Sequence, residues 1–162
     1  MTQIVGPGGG TTVLMGGLGA RLMIDADTAG GGFALVEHPI APRTLAAPLH
    51  RHANEDEYSY VLEGRVGVQL GDETLEAGPG DLVLKPRGQW HAFWNPGDEP
   101  ARLLEIISPA GFERYFEEIA PLLPPERPEP DLAALAEVQA RYGLEMDAGS
   151  IGPLMERHGL TR

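Results

Sequence analysis

His50-Arg51-His52-Ala53-Asn54-Glu55-Asp56-Glu57, running on into Tyr58-Ser59-Tyr60-Val61-Leu62-Glu63-Gly64, is the stretch that decides how this chain is read. Histidines at positions i and i+2 of an extended strand point to the same side, because side chains alternate between faces. If the chain bends after Asn54, Glu57 enters the same space as the opening residue of the next strand. Two nitrogens and one carboxylate on one side of a cation form a facial triad that leaves positions open for substrate. His91, on a later strand, can supply a third nitrogen. The chain has no cysteine, so disulfides, thiolate nucleophiles and sulfur ligands are excluded and any metal must be held by nitrogen and oxygen. Such donors suit Fe, Mn, Ni, Co, Cu or Zn.

Working outward, the segments around this stretch read as short strands separated by turns. Thr11–Met15, Ala20–Ile24 and Phe33–Val36 precede it, and Pro39–Pro48, with three prolines, is expected to be an extended edge or loop. Tyr58–Leu62, Val66–Leu70, Thr74–Glu76, Asp81–Lys85, Trp90–Trp94 and Arg102–Ile107 follow at roughly ten-residue spacing, which predicts a sandwich or barrel. After Ser108 the period changes. Phe112, Tyr115, Phe116 and Ile119 fall at helical spacing, with Glu113, Glu117 and Glu118 on the opposite side, and this helix is expected to end at Pro121. Five prolines between 121 and 130 predict a stiff linker. Asp131 is placed to cap a helix from Leu132 to about Tyr142, with Leu132, Leu135, Val138 and Tyr142 on its apolar stripe and Gly143 as its stop. The tail from Leu144 is expected to pack on the barrel or on a neighbouring chain.

Composition narrows the function classes. Asp and Glu number 24 against 12 Lys and Arg, a net charge of −12, and no basic cluster interrupts the excess, so nucleic acid and anionic membrane surfaces are not expected partners. The single lysine is Lys85. No apolar run approaches the length of a membrane span, and the glycine-broken start lacks the basic region of a secretory signal, which predicts a cytoplasmic protein.

The spacing His50-x-His52-x4-Glu57-x6-Gly64 resembles the first signature motif of the cupin superfamily. Gly80-x5-Pro86-x-Gly88-x2-His91-x3-Asn95 resembles the second. One position departs: the family often places a glycine six residues before the first histidine, where this chain has Thr44. The resemblance implies an all-β double-stranded β-helix, or jelly-roll barrel, over residues 33–108, with N-terminal strands (1–32) joining it and a C-terminal extension of helices, Pro-rich linker and tail (109–162). It implies one divalent transition metal per chain, with His50, His52, Glu57 and His91 as its ligands. A looser similarity, in Ser108–Ile119 and the C-terminal Glu-Arg-His-Gly-Leu, is to small bacterial cupins grouped with quercetin 2,3-dioxygenases.

The function this implies is an oxygenase acting on a small aromatic or flavonol-like enol, with Glu57 both ligating the metal and taking the substrate's hydroxyl proton. The rival readings are isomerisation, decarboxylation or hydrolysis without oxygen, and a non-catalytic small-molecule-binding cupin. Phe93 shares the inward face of His91, and Ser59 that of Glu57, so these two are the candidate substrate contacts. Glu55 and Asp56 read as a solvated turn, and His38 and His158 as structural residues. A short chain with apolar terminal segments is expected to form a homodimer.

Overall fold

In the computed structural model, which describes residues 4–123 and 130–161, the alternating segments become strands of two antiparallel sheets. The first sheet contains β1 (Thr11–Met15), β2 (Leu18–Ile24), β3 (Ala34–Ile40), β5 (Asp56–Glu63), β8 (Leu82–Lys85) and β10 (Ala101–Ser108), in the order β1-β2-β3-β10-β5-β8. The second contains β4 (Leu45–His52), β6 (Val66–Leu70), β7 (Glu73–Ala77), β9 (His91–Trp94) and β11 (Leu144–Met146), in the order β11-β4-β9-β6-β7. Strands β4 and β5 are consecutive in sequence but lie in opposite sheets, and that crossover brings Glu57 over the histidines of β4. This is the all-β jelly roll with a C-terminal helical part.

The period-2 pattern is cleanest in β10, where Ala101, Leu103, Glu105 and Ile107 are buried and the residues between them are half-exposed. In β9 all four residues are buried, because both faces of that sheet are covered. Inside the barrel Phe93 joins Val61, Val66, Val68 and Leu103; outside, Ala92 and Trp94 pack against Leu45, Leu154 and Leu160. Turn glycines fix the corners. Gly64 has φ 72, and a β-carbon there would lie 2.7 Å from the Pro100 carbonyl oxygen, so no other residue fits.

Pro39–Pro48 is not the continuous edge or loop expected of it. Strand β3 runs through Pro39 to Ile40, and β4 begins at Leu45. Pro39 is accommodated next to Gly19, where a β-carbon would come within 2.7 Å of its ring. Pro48 falls where the β4–β9 register shifts between Ala47 and His50, a position with no ladder N–H to lose.

Beyond β10 the chain folds back over the open end of the barrel. Helix α1 (Glu113–Ile119) buries Tyr115, Phe116 and Ile119, as its period predicts, but Glu113 is also fully buried. Its carboxylate accepts the Ala26 N–H at 2.9 Å and the Gly111 N–H at 2.5 Å, so it ties two loops together instead of facing solvent. Pro121 does not stop the chain at once; it sits within a short 3-10 turn, Ala120–Leu122. Helix α2 (Leu132–Arg141) is capped as expected, the Asp131 carboxylate accepting from the Ala133 and Ala134 N–H groups, and Gly143 ends it with φ 63. Leu132 is 70% exposed and leaves the buried stripe to Leu135 and Val138. Strand β11 then pairs with β4 across His50, Arg51 and His52, and helix α3 (Ile151–His158) lays Leu154 on Trp94. The tail therefore packs on its own barrel. The proline-rich segment 124–129 lies outside the described residues. Among the described residues, no helix is long and apolar enough to cross a membrane.

Candidate metal centre

His50 and His52 reach the barrel interior from β4, Glu57 from β5 and His91 from β9, where it pairs directly with His50. One potential donor atom from each of the four lies within 4.8 Å of the others, and all four residues are buried. The ring centroids of His50 and His91 are 4.2 Å apart, and those of His50 and His52 5.2 Å. Glu57 Oε2 lies 3.4 Å from both His52 Nε2 and His91 Nε2.

The backbone sets the imidazole tautomers. His50 Nδ1 donates to the Pro48 carbonyl at 2.7 Å, and His91 Nδ1 donates to the Gln89 carbonyl at 3.0 Å. In each case the bond leaves a lone pair on Nε2 aimed at the cluster. Burial holds both imidazoles neutral, well below the usual range for His50 and below it for His91. His52 goes the other way: burial disfavours its charge, but Glu57 and Glu55 outweigh that and raise it to about 9. Such a corner attracts positive charge, and a cation there would take the place of the His52 proton.

The fit to a divalent ion rests on unpaired atoms. Both nitrogens of His52 and Nε2 of His91 are buried without a hydrogen-bond partner. A buried polar atom left in that state costs about 1–3 kcal/mol; Nε2 of His52 and Nε2 of His91 are accounted for if they are donors to a metal, whereas His52 Nδ1 points away from the cluster toward the Glu55 carboxylate, 3.6 Å away. The donor set of three imidazoles and one carboxylate can hold a metal ion.

A second buried polar group adjoins the cluster. Lys85, 2% exposed although it is the chain's single lysine, places Nζ 3.1 Å from Glu57 Oε2 and 2.8 Å from Glu105 Oε2. Ser59 Oγ donates to the same Glu105 carboxylate at 2.8 and 3.1 Å. Burial pushes Glu105 up to about 7, with Lys85 pulling against it. Glu57 is held well below the carboxylate range: burial opposes its charge, but Lys85 and His52 overcome it.

The cluster opens on a cavity of about 310 Å³. Its walls come from the barrel, including Leu18, Ala47 and Phe93, and from the C-terminal extension, including Phe112, Phe116, Leu135, Leu144 and Met146. Phe112 stands edge-on to His52, ring centroids 4.4 Å apart. Phe93 lines this space. Ser59 does not; it stands behind Glu105, so its hydroxyl is spent on that carboxylate.

Two residues read from the sequence as lying outside the site, and a third not singled out there, prove close to it. Glu55 is buried, not solvated, with Oε2 3.6 Å from His52 Nδ1. His38 lines the cavity, its Nδ1 donating to the Gly19 carbonyl at 2.8 Å. Glu105 was missed altogether, although its position in phase with Leu103 and Ile107 marks a charge pointing into the barrel. Asp56 does lie outside the site, paired with Arg87 at 2.8 Å.

Residues 37–107 match the family model for the cupin domain. The chain is 38% identical over 60 residues to polyketide synthase CurC of Streptomyces cyaneus, an alignment covering 37% of this chain and 39% of that one. It spans between 39% and 50% of the length of the curated relatives it matches. Among solved structures it is similar to the polyketide cyclase RemF of Streptomyces resistomycificus, with TM-score 0.59, 28% identity and coverage of 67% of this chain and 80% of that one. A sugar phosphate isomerase of the cupin superfamily from Silicibacter pomeroyi gives TM-score 0.52 at 26% identity, covering 58% and 60% of the two chains.

Proposed function

We propose that this chain, whose residues 37–107 match the cupin domain, is a metal-dependent enzyme holding one divalent transition ion on His50, His52, Glu57 and His91 and acting on a largely apolar, enol-bearing small molecule. The observation that carries this reading is the union of the four-residue cluster with an apolar cavity whose described lining contains no lysine or arginine. Away from the ion itself, the described wall offers no cationic side chain to hold a phosphate or a second carboxylate. That weighs against sugar-phosphate isomerisation. A neutral aromatic or polyketide-like molecule that offers one oxygen to the ion suits the apolar walls.

The ion would supply Lewis-acid polarisation of a substrate oxygen. The protein's own groups do the rest. The Pro48 and Gln89 carbonyls keep His50 and His91 in the donor tautomer. Phe93 and Phe112 exclude water beside the cluster. Glu57 takes the substrate's hydroxyl proton, and its low proton affinity makes it a relay, with Lys85 and Glu105 next along the buried chain of contacts.

In the leading form of this reading the activated enol reacts with molecular oxygen. The likeness to a polyketide cyclase supports a second form, in which the same enol undergoes carbon–carbon bond formation and no oxygen is used. Metal analysis of protein purified without added ions should find about one ion per chain, and His52→Ala or His91→Ala should remove it. Full occupancy in both variants overturns the site. An oxygen electrode with quercetin and other enols then separates the two forms, since only the oxygenase draws oxygen down.

The outer face of β5 and β8 supports a homodimer. Tyr60 stands opposite Leu82 in register, and these two together with Leu84 are 40–54% exposed, an apolar face that a second copy would cover.

A further inference from the structure

We propose that Glu105 and His38 form a hydrogen-bond-accepting subsite that selects molecules bearing a hydroxyl in addition to the group presented to the metal cluster. The inference rests on the reading of the cavity as a ligand site and goes beyond it by naming what the ligand must carry.

Both residues line the cavity, and neither belongs to the metal cluster. They occupy inward positions on neighbouring strands, β3 and β10, where His38 faces Leu103 in register and Glu105 faces Val36. Glu105 is held in place from behind. Its Oε2 accepts from Lys85 and Ser59 at 2.8 Å each, whereas Oε1 receives only the longer arm from Ser59, at 3.1 Å. A carboxylate has lone pairs for about four hydrogen bonds, so Oε1 keeps accepting capacity. His38 spends its Nδ1–H on the Gly19 carbonyl, which leaves a lone pair on Nε2. Burial keeps that ring neutral, its pKa lowered to about 4.

The consequence is a cavity whose polar wall away from the cluster is rich in acceptors. Besides His38 and Glu105, only Tyr115 and Gln139 add polar side chains to the described lining. An occupant that brings an O–H satisfies an acceptor already positioned by Lys85 and Ser59, at no cost in reorganisation. One that brings an ether or a methyl group leaves the remaining lone pairs of Glu105 Oε1 and of His38 Nε2 without a donor, and sites built this way reject the analogue that lacks the donor.

The test uses naphthalene-2,7-diol and 7-methoxy-2-naphthol as probes, each with one hydroxyl to present to the cluster, titrated calorimetrically at about pH 8, where Glu105 is ionised. Both chelator-treated and Zn-loaded protein are titrated, so that binding is read independently of the metal. Wild-type protein should bind the diol roughly tenfold more tightly than its mono-ether in both forms. In Glu105→Gln, Lys85 claims the amide oxygen and turns the NH2 group toward the cavity, and the preference should fall to within about twofold with metal content unchanged. Equal affinity of the two probes for wild-type protein overturns the subsite, whether or not the variant folds. A preference that survives in both Glu105→Gln and His38→Phe also overturns it. If neither probe binds, the cavity reading fails together with the inference, an outcome distinct from equal binding of both.

Discussion

The buried carboxylate of Glu55 lies behind His52, its Oε2 3.6 Å from Nδ1. In sequence it belongs to an acidic run at a turn, and such runs are commonly solvated. In the structure the loop that carries it is covered by the C-terminal extension, with Ala53 N–H donating to the Gly143 carbonyl at 3.0 Å, and Glu55 is turned inward beneath His52. Its carboxylate can orient that imidazole, as acidic partners of metal-binding histidines do. Glu55→Gln should therefore weaken Zn binding by about 10–100-fold in a calorimetric titration while leaving the stoichiometry at one ion. An unchanged affinity would reduce Glu55 to a buried loop residue. Lys85 and Glu105 were legible in principle, since each falls on the inward phase of its strand, but alternation alone cannot say that two inward charges meet. That depends on β8 and β10 flanking β5 on opposite sides.

Among the elements, the C-terminal helices matter more than their length suggests, because α1, α2 and β11 build one side of the cavity. Helix α2 places Leu135 and Gln139 there, and its start is fixed by one side chain, Asp131. Asp131→Ala should cost about 1 kcal/mol in urea unfolding, the usual value of an N-cap, with the cluster's metal content intact. The cap, the stop at Gly143 and the inward stripe of α1 were all legible, since each depends on residues close in sequence. The passage of β3 through Pro39 was not, because it relies on Gly19 from another strand making room for the ring. The burial of Glu113 was hidden for the same reason: its partner Ala26 is 87 residues away.

For the whole molecule, the outer face of β5 and β8 should decide assembly. Leu84→Glu places a charge in the middle of the proposed contact and should convert a dimer to a monomer by light scattering, with metal content retained. A wild-type monomer at the same concentration would remove that contact. The two histidine-bearing motifs, their glycine corners and the ten-residue rhythm of strands determined the jelly roll and brought His50, His52, Glu57 and His91 together. Those features depend on alternation and on turn geometry, which are local properties of a chain. Only the tertiary structure decided that β11 would pair with the metal-bearing strand, that Phe112, just before α1, would stand against His52, and that Lys85 would link Glu57 to Glu105. These depend on which distant segments compete for the same buried surface, and that competition is settled by packing the whole chain at once.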